Sequence, residues 1–452
     1  MNYIPGFASV DPGPATVRHR IWAAALLAIA CGFGTHADAA STAPAPDPRE
    51  YRLEYTVTAD PTQGTLDVSL QVLQHKALLR EMRFSAGSRI SGVTGDGDLE
   101  RSGRDYRWHP PAAGGVLRWH VKVAHLRDNG GYDAWLGPGW GVFRAEDIIP
   151  RAATRTLKNA HSQTWMTLRL PHGWSGVTQY YGKAERFRIR AAGRRFDQPS
   201  GWMVVGELGV RRETVVGIRV AVAGPVGEAV RRMDMLALLN WNLPELARLL
   251  PSLPPRLTVV SAGDPMWHGG LSAPESLFVH ASRPLISENA TSTLLHEVMH
   301  LSLGLRAEEG YDWVLEGLAE YYSVELLHRS GTITDSRYRH VHADLAKWAK
   351  QSTALCSPMS TGPTTALAVT VFARLDREIR SKSRGTANLD DLTRALWRAG
   401  TPIGYSLLSA SAESVAGGKL DTLRLENLPG CLAPGIAPEA RAESVRITRT
   451  GS

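Results

Sequence analysis

TSTLLHEVMHLSLGLRAEEGYDWVLEGLAEYYS, residues 291–323, carries the motif HEVMH and, sixteen residues after His300, the glutamate of WVLEGLAEYY. Leu294, Leu295, Val298, Leu301 and Leu305 recur at helical spacing, and Ser287 or Asn289 can cap the start of the helix they predict. Residues four apart share a helix face, so His296 and His300 can offer two imidazoles to one metal ion. Glu297, next to the first histidine, can reach a metal-bound water without being a ligand. HExxH alone occurs by chance in unrelated helices. Here it lies in an apolar helix and is followed by a second helical pattern with Glu316 near its start, the combination a zinc hydrolase needs.

Outward from this stretch the hydrophobic period changes twice. From Tyr51 the chain reads as short alternating segments, among them YRLEYTVTA, TLDVSLQVL, VLRWHVKVA, TWMTLRL and VVGIRVAVA, each bounded by Gly, Pro, Asp or Asn. They predict an antiparallel β domain over residues 51–224. Within it, the aromatic and glycine-rich segment 128–150 reads as a long loop that can face a cleft or be pinned to the sheet by its tryptophans. Near Pro225 the pattern becomes helical: EAVRRMDMLALLNWN and LPELARLL read as two helices ended by PSLPP. RLTVVSAG (256–263) and ESLFVHAS (275–282) read as strands separated by a glycine turn. Helices are expected at 313–329, around 342–350, over ALAVTVFARLDREIRSK and at 389–400. Residues 225–400 are thus a mainly helical domain, and 401–452 carry no readable pattern.

The chain has 452 residues, 43% hydrophobic and 21% charged, an ordinary globular composition long enough for two or three domains. The net charge of +7 comes from scattered arginines such as Arg188, Arg190, Arg211 and Arg212 without interleaved aromatics, so no nucleic-acid partner is expected. Arg18, His19 and Arg20 precede the apolar run IWAAALLAIACGFG, and Ala37-Asp38-Ala39 offers a cleavage site, so residues 1–39 read as a signal peptide and 40–50 as a Pro/Ala linker. AIACG around Cys31 partly resembles a lipobox, an alternative in which the mature chain is lipid-anchored. Either route implies a periplasmic or secreted protein, with no transmembrane segment in the mature chain. Cleavage after Ala39 leaves Cys356 and Cys431, a pair expected to form a disulfide in an oxidising compartment.

HEVMH followed by WVLEGLAEYY resembles the gluzincin metallopeptidases. FARLDREIRSKSRGTANLDDLTRALW resembles the later helical pair of their glycyl aminopeptidase group, which is related to the aminopeptidase N group. The resemblance is good over residues 269–397 and architectural over the β domain. It implies a multidomain α+β protein, an N-terminal β domain followed by a thermolysin-like zinc-peptidase domain. It also implies one Zn2+ per chain on His296, His300 and Glu316, with Glu297 as general base. Glu320, four residues beyond Glu316, is a candidate acceptor for the outer N–H of a zinc histidine.

Two departures bear on specificity. The relatives bind the substrate's free α-amine with a glutamate directly after GG-x; here Gly269-Gly270-Leu271 is followed by Ser272, and Glu275 is the nearest carboxylate. Their oxyanion-stabilising tyrosine precedes the LD helix, where this chain reads TGPTTALAVTVF; Tyr338, His340 and His342 are the nearest substitutes. The expectation is an exported zinc metallopeptidase acting on peptide or protein substrates, with trimming of N-termini and internal cutting both open. The alternative is a zinc-containing protein that captures peptides along the 275–282 strand with little turnover.

Overall fold

TLDVSLQVL makes a strand because its apolar residues fall on one face. Leu66, Val68, Leu70 and Val72 are buried, and the residues between them face outward. The same alternation runs through Glu50–Asp60 and His161–Arg169. The computed structural model describes residues 47–128, 130–190 and 196–431. The expected signal peptide and Cys31, most of the linker, and residues 432–452 lie outside the described residues.

The alternating half builds three sheets of seven, five and four strands over a core that includes Trp108, Tyr51 and Tyr55. It is not wholly antiparallel, since Glu50–Asp60 runs parallel to His161–Arg169 over nine residue pairs. The expected loop at 128–150 contains strands Tyr132–Leu136 and Trp140–Arg144 and a helical turn, Ala145–Ile148. Buried Trp140, Val142 and Phe143 hold it against neighbouring strands instead of leaving it free over a cleft.

A fourth sheet crosses the boundary expected at residue 224. Its strands lie in the order Leu208–Val215, Ile218–Pro225, Arg256–Ala262, Ser276–His280 and Gly270–Ala273. Ile218–Pro225 is buried at all but one position, as suits a strand covered on both faces, and it pairs parallel with Arg256–Ala262 through the crossover helix Arg232–Leu249. That helix is single where two were expected. Pro244 sits inside it, and Leu239, Leu243 and Leu246 carry one buried stripe past the proline. Gly270–Ala273, expected as part of a turn, is the edge strand, so Ser276–His280 is flanked on both sides and offers no free edge.

Helices Thr293–Leu303, Asp312–Arg329, Asp335–Ala349, Pro363–Lys382 and Leu389–Ala399 follow and share one core with the sheet. The unplaced tail begins with a further helix, Tyr405–Ala416, and two short turns that end at Cys431. No helix among the described residues is long and apolar enough to cross a membrane. Cys356 and Cys431 are joined by a disulfide, and the Leu355 amide donates to the Pro429 carbonyl beside it at 2.7 Å.

The disulfide spans 75 residues, and closing a loop of that length removes unfolded-chain entropy worth about 4 kcal/mol. Replacing both cysteines by alanine is expected to lower the unfolding free energy from urea titration by up to that amount, with a larger m value because the unfolded chain is no longer cross-linked. Non-reducing peptide mapping that finds Cys356 and Cys431 as free thiols would refute the pairing.

Candidate metal centre and cleft

The helix Thr293–Leu303 begins at Ser292, whose hydroxyl accepts from the Leu295 amide, rather than at Ser287 or Asn289. It ends at Gly304, which supplies the left-handed residue (φ 55°) that closes the last turn. Leu294, Leu295, Val298 and Met299 anchor it in the core. His296, His300 and Glu297 are left at the cleft. The second helix, Asp312–Arg329, lies against it and brings up Glu316 and Glu320.

Glu316 reaches both imidazoles. One carboxylate oxygen is 3.2 Å from His296 Nε2, the other 3.2 Å from His300 Nε2, and the two Nε2 atoms are 3.0 Å apart. Three donor atoms thus converge on one point, and two imidazoles with one carboxylate are the donor set zinc takes when a position is left open. His296 Nδ1 points away from it and meets Glu320 at 2.9 Å, an arrangement that fixes the ring.

The electrostatics follow from this packing. Burial opposes a charge on His296, but hydrogen bonds to Glu316 and Glu320 outweigh it and raise its pKa to about 10. Burial likewise acts against the Glu316 carboxylate, yet the two histidines pull its pKa down to about 2. Glu297 is 7% exposed; burial pushes its pKa up, His296 and His300 pull against this, and the Ser272 backbone N–H helps hold the charged form.

The cleft encloses about 540 Å³ between the edge strand, both site helices and the 360–366 segment. Gly269 and Gly270 form its wall. A Cβ at Gly270 would lie 2.6 Å from Thr293 Cγ2 and 2.8 Å from Glu297 Cγ, so only glycine lets the strand pass this close to the helix. The strand is fixed from behind by the Trp202 indole, which donates to the Leu271 carbonyl at 2.8 Å.

Two expected contributors lie elsewhere. Glu275 does not line the cleft: Ala273 pairs with Ser276, which puts Glu275 at the turn (φ 50°), where Arg256 binds its carboxylate at 2.5 Å beside a separate cavity. Tyr338 is also outside. Its hydroxyl donates to the Glu325 carboxylate, its ring stacks on His328, and it shares another cavity with His342. The His340 imidazole is spent on the Ser336 carbonyl at 2.7 Å. The TGPTTAL segment does reach the cleft, but with Thr361 and Thr365 and no tyrosine. Trp267 and Arg283, not singled out in the sequence, also line it. Trp267 was readable as the aromatic two residues before the glycine pair; nothing in the sequence marked Arg283.

Comparison with known proteins places this architecture. Neither a family model nor a curated protein matches the sequence. Among solved structures, the chain is similar to an aminopeptidase N family protein from Idiomarina loihiensis. The TM-score is 0.60 at 17% identity, over 87% of this chain and 75% of that one. At that identity the likeness is one of fold, a β-rich N-terminal part followed by a helical part.

In the metal-free protein His296 Nε2 carries a proton at neutral pH, because its pKa is raised to about 10. Metal binding displaces that proton, so apparent zinc affinity should rise about tenfold per pH unit between pH 6 and 8. Competition with a chelating dye measures this, and an affinity flat across that range would contradict it.

Proposed function

We propose that this protein is a zinc metallopeptidase whose active site is the cleft above His296, His300 and Glu316. The observation that carries the reading is the approach of the Glu316 carboxylate to both histidines, with Glu297 buried beside them and held by the Ser272 amide of the opposite wall. Zinc held by these three side chains supplies a Lewis acid that lowers the pKa of a water molecule toward neutrality. Glu297, within reach of that water, would take its proton and pass it to the leaving amine. Glu320 holds the His296 ring in the tautomer that leaves Nε2 free for the metal. An extended substrate chain would lie along the edge strand Gly270–Ala273, where a sheet edge can pair with it.

The cleft argues against a requirement for a free N-terminus. Apart from Glu297, Glu316 and Glu320, its described lining holds no carboxylate to receive an ammonium group, and it contributes Arg283 instead. We therefore favour cleavage at bonds within a peptide over obligatory removal of N-terminal residues. The lack of a tyrosine in the described lining favours a second reading, a zinc-containing peptide-binding protein with little turnover. Export to the periplasm or beyond belongs to the same proposal and rests on the sequence of residues 1–39.

Glu297→Gln should retain zinc and lose about a hundred- to ten-thousand-fold in kcat, whereas His300→Ala should lose both metal and turnover. Equal hydrolysis of a mixed peptide library by wild type and Glu297→Gln would remove the catalytic reading and leave the binding one. Acetylating the N-termini of the cleaved peptides should leave kcat/KM within a few-fold; cleavage confined to free N-termini would show that the amine is recognised after all.

A further inference from the structure

A second group of metal-ligating side chains lies just outside the cleft. The turn 263–269 joins the central strand Arg256–Ala262 to the edge strand Gly270–Ala273, and it carries Asp264 and His268. Both face His280, the last residue of the neighbouring strand. His268 Nε2 is 2.7 Å from Asp264 Oδ1, His280 Nε2 is 3.7 Å from the same oxygen, and the two imidazole rings stack 4.0 Å apart.

His280 is the unusual member. Its side chain is 3% exposed, and Nε2 makes no hydrogen bond to any described residue. A buried polar atom left unpaired is costly and calls for a partner that the described residues do not supply. At the other nitrogen, Nδ1, the Ser282 hydroxyl is 2.8 Å away. The Ser282 amide donates to the same atom at 3.2 Å, which puts the ring proton on Nε2, on the side where Asp264 lies. A metal ion at Nε2 would displace that proton, and Nδ1 would then carry one and donate it to the Ser282 hydroxyl.

We propose that Asp264, His268 and His280 bind a second divalent transition-metal ion of the zinc type, distinct from the ion at His296, His300 and Glu316. Two imidazoles and one carboxylate are borderline-soft donors that suit zinc better than calcium or magnesium. Four-coordinate zinc with bonds of about 2.0–2.2 Å holds its ligand atoms about 3.3–3.6 Å apart. The His280–Asp264 separation is already close to that, and the exposed His268–Asp264 pair opens by under about 1 Å to match it. Asp264 is 81% exposed and His268 61%, so the ion enters from solvent and needs no passage through the cleft.

The site has a consequence for the cleft beside it. Trp267 lies between the two turn ligands and lines the cleft, and Gly269 follows directly. Two ligands on the turn and one on the buried strand make the ion a clamp that ties the start of the edge strand to the sheet. The turn is held from its other side by Tyr132, whose amide donates to the Pro265 carbonyl at 3.0 Å and whose carbonyl accepts from Trp267 at 2.7 Å. A metal at His280 fixes the remaining side.

The inference stands apart from the catalytic reading and is tested without turnover. Untagged full-length protein is dialysed to equilibrium against buffered zinc, and bound metal is counted by inductively coupled plasma mass spectrometry. Wild type should hold two equivalents, His300→Ala one, and the Asp264→Asn/His268→Ala double variant one. His300→Ala combined with those two should hold none. The turn substitutions sit on exposed side chains, so loss of the fold does not account for loss of the ion. Hydrogen exchange at amides 263–270 should slow when zinc is added to His300→Ala and remain unchanged in the combined variant. If the double variant binds as much zinc as wild type, or if His300→Ala binds none, the second site is overturned.

Discussion

The contact on which the site depends is the carboxylate of Glu316 reaching two imidazoles at 3.2 Å each, with Glu320 behind one of them. Taking charged groups out of water is costly unless opposite charges and hydrogen bonds compensate. Here each residue compensates another. The histidines hold Glu316 ionised against its burial, Glu316 and Glu320 hold His296 charged, and Glu297 is the carboxylate whose pKa burial raises on balance. Which carboxylate the histidines hold ionised follows from which one faces the imidazole nitrogens.

That contact requires two helices to sit in fixed register, and the surrounding core provides it. Gly317, next to Glu316, packs so closely on the helix Pro363–Lys382 that a Cβ would lie 2.6 Å from Ala368 Cβ and 2.8 Å from the Phe372 ring. Trp313 packs on Phe372 one turn earlier. Further along, the buried Tyr322 hydroxyl donates to Asp390 at 3.0 Å and meets the Thr393 hydroxyl, while Arg329 clasps Asp390 with two bonds at 2.9 and 3.0 Å. The helix Leu389–Ala399 thereby pins the far end of the helix that delivers Glu316. Packing near the ligand sets its approach, and the distant ion pair keeps the helix from rotating.

The opposite wall follows a different rule, being made of backbone. Gly269 and Gly270 lie where side chains would collide with Trp267 and Glu297, and the edge strand gives its Ser272 amide to the Glu297 carboxylate. Its side chains contribute little charge. What distinguishes this cleft is therefore the absence of an acidic anchor from its described lining, with Arg283 at its margin.

How much of this was legible from sequence depends on how local each feature is. His296, Glu297, His300, Glu316 and Glu320 are set by helical periodicity, and spacings of four residues fix their faces whatever the rest of the chain does. Alternation likewise gave the β-rich half and the 3.6-residue period the helical half. Other features are decided by strand pairing and long-range contacts. The pairing of Ala273 with Ser276 turns Glu275 toward Arg256, the Glu325 carboxylate draws Tyr338 away from the cleft, and the parallel pairing of Ile218–Pro225 with Arg256–Ala262 carries one sheet across an expected boundary. Asp264, His268 and His280 are too irregularly spaced to read as a set, and only the sheet brings the turn and the strand end together. Sequence by itself determined that His296 and His300 share a helix face beside Glu297, because one turn of helix suffices to specify that. Tertiary structure decided the shape and charge of the cleft, because those depend on which distant segments meet.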